Sequence, residues 1–184
     1  FLAGRYIEIP LYTLGFQEFL QFRGKNKEDN EKEFKRFLRF GGLPVLHQFS
    51  FSEEIVYPYI LSIYNTILLK DVIQRHEIRN THLLENVARF AFENIGSTFS
   101  AKKVADYLKS QKLKIGIETI QNYLSYLSDT YVLNRISRYD VKGKRVLEIY
   151  EKYFLGDVGI RHALFGYREG DISDILENIV YLDL

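Results

Sequence analysis

Between Ser100 and Lys152, eleven lysines and arginines stand against six acids, a local charge of +5 in a chain whose total is +1. Five of them, Lys102, Lys103, Lys109, Lys112 and Lys114, fall close together. Thr119, Gln121, Asn122 and Ser125 follow, short polar side chains that donate and accept hydrogen bonds. Ammonium groups attract phosphate, while amides and hydroxyls read base edges. Lys142, Lys144 and Arg145, around a glycine, add to the cationic set. The types and spacing suit a surface that meets nucleic acid, with Lys102, Lys103, Lys142, Lys144 and Arg145 over phosphates. Thr119, Gln121, Asn122 and Ser125 would then face the major groove. Two features weigh against strong sequence reading: Glu118 repels phosphate, and residues 117–129, which carry these polar side chains, include no arginine, the commonest guanine reader.

No catalytic centre is legible in the same way. The chain has no cysteine, which removes disulfides, thiolate zinc sites and cysteine nucleophiles. His47, His76, His82 and His162 are scattered without HxxxH or HExxH spacing, so neither a metal site nor a relay is expected. No apolar run is long enough to span a bilayer and no signal peptide opens the chain, which predicts a cytoplasmic protein without a membrane partner. A content of 46% hydrophobic and 15% aromatic residues over 184 positions fills a real core. The absence of methionine predicts a fragment of a longer chain, or a chain from which selenomethionine positions have dropped out.

The elements that must position the cationic and polar side chains follow from periodicity. Leu83, Leu84, Val87, Phe90 and Ala91 make a helical stripe over Thr81 to Asn94. Ser100 caps a helix from Ala101 to Ser110 that faces Val104, Ala105 and Leu108 inward. Lys112 to Gly116 is a turn. Ile117, Ile120, Leu124 and Leu127 then set a second helix over Ile117 to Asp129, the recognition-type helix of a helix-turn-helix. Val132 to Tyr139 and Arg145 to Tyr150 alternate as strands around a glycine turn at Asp140 to Lys144, a hairpin that serves as a wing. The expected fold class is mostly α, a helical region plus a winged helix-turn-helix with a small β-hairpin wing.

On the N-terminal side, Gly4 to Pro10 alternates as a short strand and Leu14 to Phe22 turns helical. Lys25 to Lys32 reads as a charged loop leading into a helix at Glu31 to Phe40. Gly41-Gly42-Leu43-Pro44 breaks that helix. A long helix follows from about Tyr57 to Gln74, on which Asp71 and Arg75 stand at i,i+4, the spacing of an exposed ion pair or an interdomain contact. Towards the C-terminus, Lys152 to Leu155 reads as a further strand. Ile172 to Leu184 reads as an amphipathic helix whose apolar residues Ile175, Leu176, Ile179, Val180 and Leu182 need a partner expected outside the chain.

Several motifs recur in order: Gly4-Arg5-Tyr6, Pro10-Leu11, Phe16-Gln17-Glu18-Phe19, Phe40-Gly41-Gly42-Leu43-Pro44, Leu69-Lys70-Asp71-Val72 with Arg75, and Asn94-Ile95-Gly96 with Ser100. Lys142-Gly143-Lys144, Lys152-Tyr153-Phe154, Asp157-Val158-Gly159 and Leu176-Glu177-Asn178-Ile179-Val180-Tyr181 complete the series. In this order the chain resembles the bacterial and archaeal AAA-type P-loop ATPases whose C-terminal half is the domain of unknown function 4143. The resemblance implies four segments: the tail end of the ATPase domain over 1–24, a helical connector over 25–80, the winged helix-turn-helix over 81–152, and the truncated start of a nuclease-like α/β domain over 153–184. At the end of an ATPase sheet Arg5 would sense nucleotide, its other reading being a local pair with a carboxylate, and the resemblance gives Glu177 a place in a metal site, its other reading being a surface glutamate. The resemblance implies ATP and magnesium as cofactors of the parent protein and none for this chain. Partners implied are the protein's own ATPase and C-terminal domains, DNA bound weakly or nonspecifically, and a second copy in a homo-oligomer. The sequence departs from the full pattern by lacking GxxxxGK[ST] and the acid-x-lysine strand of an active nuclease, so no catalytic residue is assigned. The winged helix would then link nucleotide-driven movement to DNA or protein binding, or serve only as a connector between domains with its basic residues solvated; a stand-alone winged-helix transcriptional regulator and a protein-interaction scaffold are the alternative readings of the chain.

Overall fold

In the computed structural model the described residues are 7, 9–24, 30–140 and 145–184. They form α1 (Phe16–Phe22), α2 (Asn30–Phe40), a 3-10 turn (Pro44–Gln48), α3 (Glu53–Ile67), a π-helical segment (Leu68–Gln74) and α4 (Thr81–Glu93). After these come β1 (Thr98–Phe99), α5 (Ala101–Ser110), α6 (Ile117–Ser128), β2 (Leu133–Asp140), β3 (Arg145–Leu155), α7 (Val158–Phe165) and α8 (Ile172–Asp183). The chain is mostly helical, with a three-stranded antiparallel sheet in the order β1-β3-β2. No helix among the described residues is long and apolar enough to cross a membrane.

Local chemistry accounts for where the helices start. Asn80 accepts from the Leu83 N–H at 3.1 Å, Ser100 from the Lys103 N–H at 3.2 Å, and Asp157 from the Gly159 N–H at 2.7 Å. Each satisfies a donor that the first helical turn leaves free. The main apolar cluster runs from Phe40 through α3, α4, α5, α6 and the base of the sheet to Ile160. Within it Phe99 of β1 stacks on Tyr153 of β3 at 4.7 Å between ring centres, which pins the short edge strand to the hairpin. In the hairpin, Leu133 pairs with Leu155 and Ile136 with Lys152, and the register shifts between Ile136 and Arg138.

Several expectations need correcting. The last strand is not separate: Lys152 to Leu155 continues β3, which pairs with β1 on one side and β2 on the other. Helix α3 begins at Glu53, four residues before the expected start, and its continuation past Ile67 is π-helical. A π-helix closes its hydrogen bonds at i→i+5, as the Ile78 N–H does to the Ile73 carbonyl at 3.0 Å. Asp71 and Arg75 stand four residues apart at the end of this segment, but no ion pair joins them. Helix α7 was not foreseen from periodicity. The partner of α8 lies within the chain: Ile175 and Ile179 pack in a second apolar cluster with Phe19, Phe37, Leu38 and Val158. Leu176 and Val180 stay exposed. The strand expected at Gly4 to Pro10 falls largely outside the described residues, and its described members Ile7, Ile9 and Pro10 are not in a strand.

Two of the ordered motifs meet at one crowded point. The Gly42 N–H donates to the Asp157 carboxylate at 2.8 Å, and the Leu14 N–H donates to the Gly42 carbonyl at 2.8 Å. The Thr13 hydroxyl donates to the Gly156 carbonyl at 2.7 Å. A Cβ at Gly42 would overlap the Leu14 carbonyl, and one at Gly156 would overlap the Tyr131 carbonyl. Gly41 adopts a φ of 80°, open to glycine at little cost, which turns the chain out of α2 against Asp157. Asn178 ties α8 to the end of β3, its amide donating to the Leu155 carbonyl at 3.0 Å while its side-chain oxygen accepts the Leu155 N–H at 2.7 Å.

Candidate nucleic-acid interface

Helix α5 buries Val104 and Leu108 and turns Lys102, Lys103 and Lys109 outward. The Leu113 N–H reaches back to the Leu108 carbonyl at 2.9 Å, and Lys112 takes a left-handed φ of 64°, so the chain reverses tightly before α6. Helix α6 buries Ile120, Tyr123, Leu124 and Leu127 and exposes Glu118, Gln121 and Asn122, with Thr119 and Ser125 half-buried at the margins. Ile117, expected to face inward, is 46% exposed. At 100° per residue it lies about 70° round the helix from the middle of the buried line, and Tyr123 takes the core position instead.

Lys102, Lys103, Lys109, Lys112 and Lys114 are all exposed, and none pairs with a carboxylate among the described residues. Several cations elsewhere are paired. Arg23, Arg36 and Lys35 pair with Glu33 or Glu31, Arg39 with Glu53, Arg135 with Glu151, Lys152 with Glu177, and Arg161 with Asp171. The α5–α6 corner thus holds five cations uncompensated among the described residues, beside a polar helix face. Lys142 and Lys144 lie outside the described residues, as does Arg5. Arg145 opens β3, but its side chain is also outside them. Glu177 sits on α8 with the Lys152 ammonium against it, and among the described residues no cluster of His, Asp and Glu could hold a metal ion.

One feature of the interface escapes sequence reasoning. His76, just beyond the π-helical segment, stacks flat on Tyr126 of α6, with ring centres 3.6 Å apart and 8° between planes. Nothing in the spacing of a histidine and a tyrosine fifty residues apart announces that contact.

The other polar concentrations are built for structure. A groove of about 430 Å³ between α2 and the start of α3 is lined by Lys32, Lys35, Arg36 and Arg39, but also by Glu53 and Glu54. Arg39 donates to Glu53 at 2.7 Å, Lys35 to Glu31 at 2.6 Å and Arg36 to Glu33 at 2.6 Å, which spends its positive charge locally. Arg161 is buried, with its Nε on the Phe92 carbonyl at 3.2 Å and a terminal nitrogen on Asp171 at 2.7 Å. Burial, then the adjoining Arg161 guanidinium, pushes the His162 ring down to about 4. Burial pushes the Asp157 carboxyl up to about 7, opposed by the Gly42 and Gly159 N–H donors. Burial also lowers His47, which sits among Phe19, Phe22 and Phe51.

Residues 31–171 match a family described as domain of unknown function (DUF8612). An uncharacterized protein of Haemophilus influenzae is 31% identical over 186 residues, an alignment covering 100% of this chain and 46% of that protein. An uncharacterized protein of Methanocaldococcus jannaschii is 31% identical over 196 residues, covering 100% of this chain and 42% of that protein. The chain therefore spans less than half the length of these two relatives. No solved structure matches it.

Proposed function

Since the chain belongs to the family described as domain of unknown function (DUF8612), we propose that within it α4 to β3 act as a winged helix-turn-helix that grips duplex DNA, chiefly by its phosphates. The observation that carries this reading is the set of five exposed lysines on α5 and the α5–α6 turn, unpaired among the described residues, beside the polar face of α6. The order helix, short strand, helix, helix, hairpin, with β3 between β1 and β2, is the arrangement such a module needs. Lysines without an arginine on α6 favour backbone attraction over base reading.

In this reading the module belongs to a longer cytoplasmic AAA-type ATPase and couples nucleotide-driven movement to DNA. Support comes from the ordered motifs and from relatives more than twice as long as the aligned region. These 184 residues contain no GxxxxGK[ST]. The ATP phosphates and their magnesium would be held elsewhere in the parent, and no step of their chemistry is assigned to residues here.

Binding of a short labelled duplex, followed by fluorescence anisotropy from 50 to 200 mM salt, tests the DNA reading. The chain is expected to bind with little sequence preference and with affinity falling steeply as salt rises. Lys102→Ala with Lys103→Ala should lower the log–log salt slope by about 1.8, at about 0.9 for each phosphate no longer neutralised. Strong preference for one sequence at physiological salt would point to a stand-alone regulator instead. No association at low salt would remove DNA and leave a protein-interaction surface.

A further inference from the structure

With α6 seated in a major groove, as proposed above, the stack of His76 on Tyr126 fixes what lies beside that groove. Helix α6 advances 100° per residue, so Tyr126 shares an edge with Thr119 and Asn122, seven and four residues before it. A helix about 10 Å across nearly fills a major groove about 12 Å wide. A segment stacked on its flank therefore stands over the sugar–phosphate ridge, not over base edges. The segment standing there carries Arg75 and Arg79 on either side of His76. Both arginines are exposed and neither has a carboxylate partner among the described residues, although Asp71 and Glu77 lie on the same stretch.

We infer that Arg75 and Arg79 form a second phosphate-binding ridge for duplex DNA along the Thr119–Asn122–Tyr126 edge of α6, outside the helix-turn-helix itself. The ridge supplies the guanidinium groups that α6 lacks, and guanidinium suits phosphate geometry by donating two parallel N–H bonds. His76 is a positioning residue: its ring holds the ridge against α6 and touches no phosphate.

The test compares the whole chain with Arg75→Ala/Arg79→Ala and with Arg75→Lys/Arg79→Lys, using one 20-base-pair duplex across 50 to 200 mM salt. The alanine pair should lower the log–log salt slope by about 1.8. The lysine pair should restore the slope, since charge returns, while leaving affinity below the parent's because the paired donors do not. Circular dichroism of both variants should match the parent, as the two side chains are exposed. If Lys102→Ala/Lys103→Ala lowers the slope and the arginine pair does not, the ridge is overturned while the helix-turn-helix reading stands. If the arginine pair binds more tightly than the parent, the segment obstructs α6 and the ridge is likewise overturned. If the parent chain fails to bind the duplex at all, both readings fall together.

Discussion

Asp157 and His162 are five positions apart in and just before α7, both buried, and burial moves them in opposite directions. Asp157, raised from 3.8 to about 7, keeps in the native state a proton that the unfolded chain releases, so its contribution to stability falls as pH rises across that window. His162, lowered from 6.5 to about 4, refuses a proton that the unfolded chain accepts, so its contribution is lost as pH falls from 6.5 towards 4. The two slopes nearly cancel between pH 4 and 6.5, so the pair together adds little pH dependence there, and the lowered His47 leaves a residual rise of stability with pH. Asp157→Asn removes one slope and exposes the other: its stability should rise with pH across this window by about 1.4 kcal/mol per unit. His162→Gln should show the reverse trend, stability falling up to about pH 7. Thermal melts at constant ionic strength check both, and parallel profiles in the two variants would refute the assignment. Neither shift was legible in the sequence, where His162 reads merely as a histidine beside an arginine. Its burial depends on α7, which periodicity did not reveal.

At the scale of elements, legibility followed the source of each element's stability. Helices α5 and α6 came out at or within one residue of their expected limits, because a Ser100 cap, a four-residue apolar repeat and a turn all lie within thirty positions. Strand β3 did not, since its length is set by pairing with β1, about fifty residues earlier, as well as with β2. The π-helical segment was invisible for a related reason: Leu68 and Val72 keep a helix-like apolar spacing whichever hydrogen-bond pattern closes the turn. The glycine motif was readable as a break in α2, but its partner Asp157 was not, although both stood in the ordered motifs. That junction gives a sharp expectation. Gly42→Ala should destabilise the chain by about 3 kcal/mol, because the added methyl meets the Leu14 backbone, which cannot rotate away. Gly170→Ala, where a Cβ meets nothing within 4 Å, should leave the urea midpoint almost unchanged. Equal midpoints for the two variants would show that the junction tolerates the extra atom.

Across the whole molecule, two apolar clusters divide the work. The larger runs through α3 to α6 and the sheet base, and so positions the lysine corner. The smaller joins α1 and α2, from the start of the described chain, to α8 at its end, with Val158 of α7 between. Helix α8 is held by the Ile175 and Ile179 side chains in that smaller cluster. It is tied to β3 by the paired Asn178–Leu155 hydrogen bonds, the Tyr181–Phe154 ring stack and the Glu177–Lys152 ion pair. Removing the two isoleucines takes the apolar anchor away and leaves the β3 ties, and so should separate the clusters energetically. Ile175→Ala costs about 3 kcal/mol, as large-to-small core changes do, and the same holds for Ile179→Ala; the two side chains share one cluster, so the effects will not simply add. In the double variant, amide exchange should quicken by orders of magnitude in α1, α2 and α8. Protection in α4, α5 and α6 should fall far less, and the proposed duplex binding should keep the parent's salt slope. A uniform fall in protection from α1 through α8 would mean that the clusters unfold as one unit. In that case the lysine corner depends on α8 as closely as on the helices beneath it.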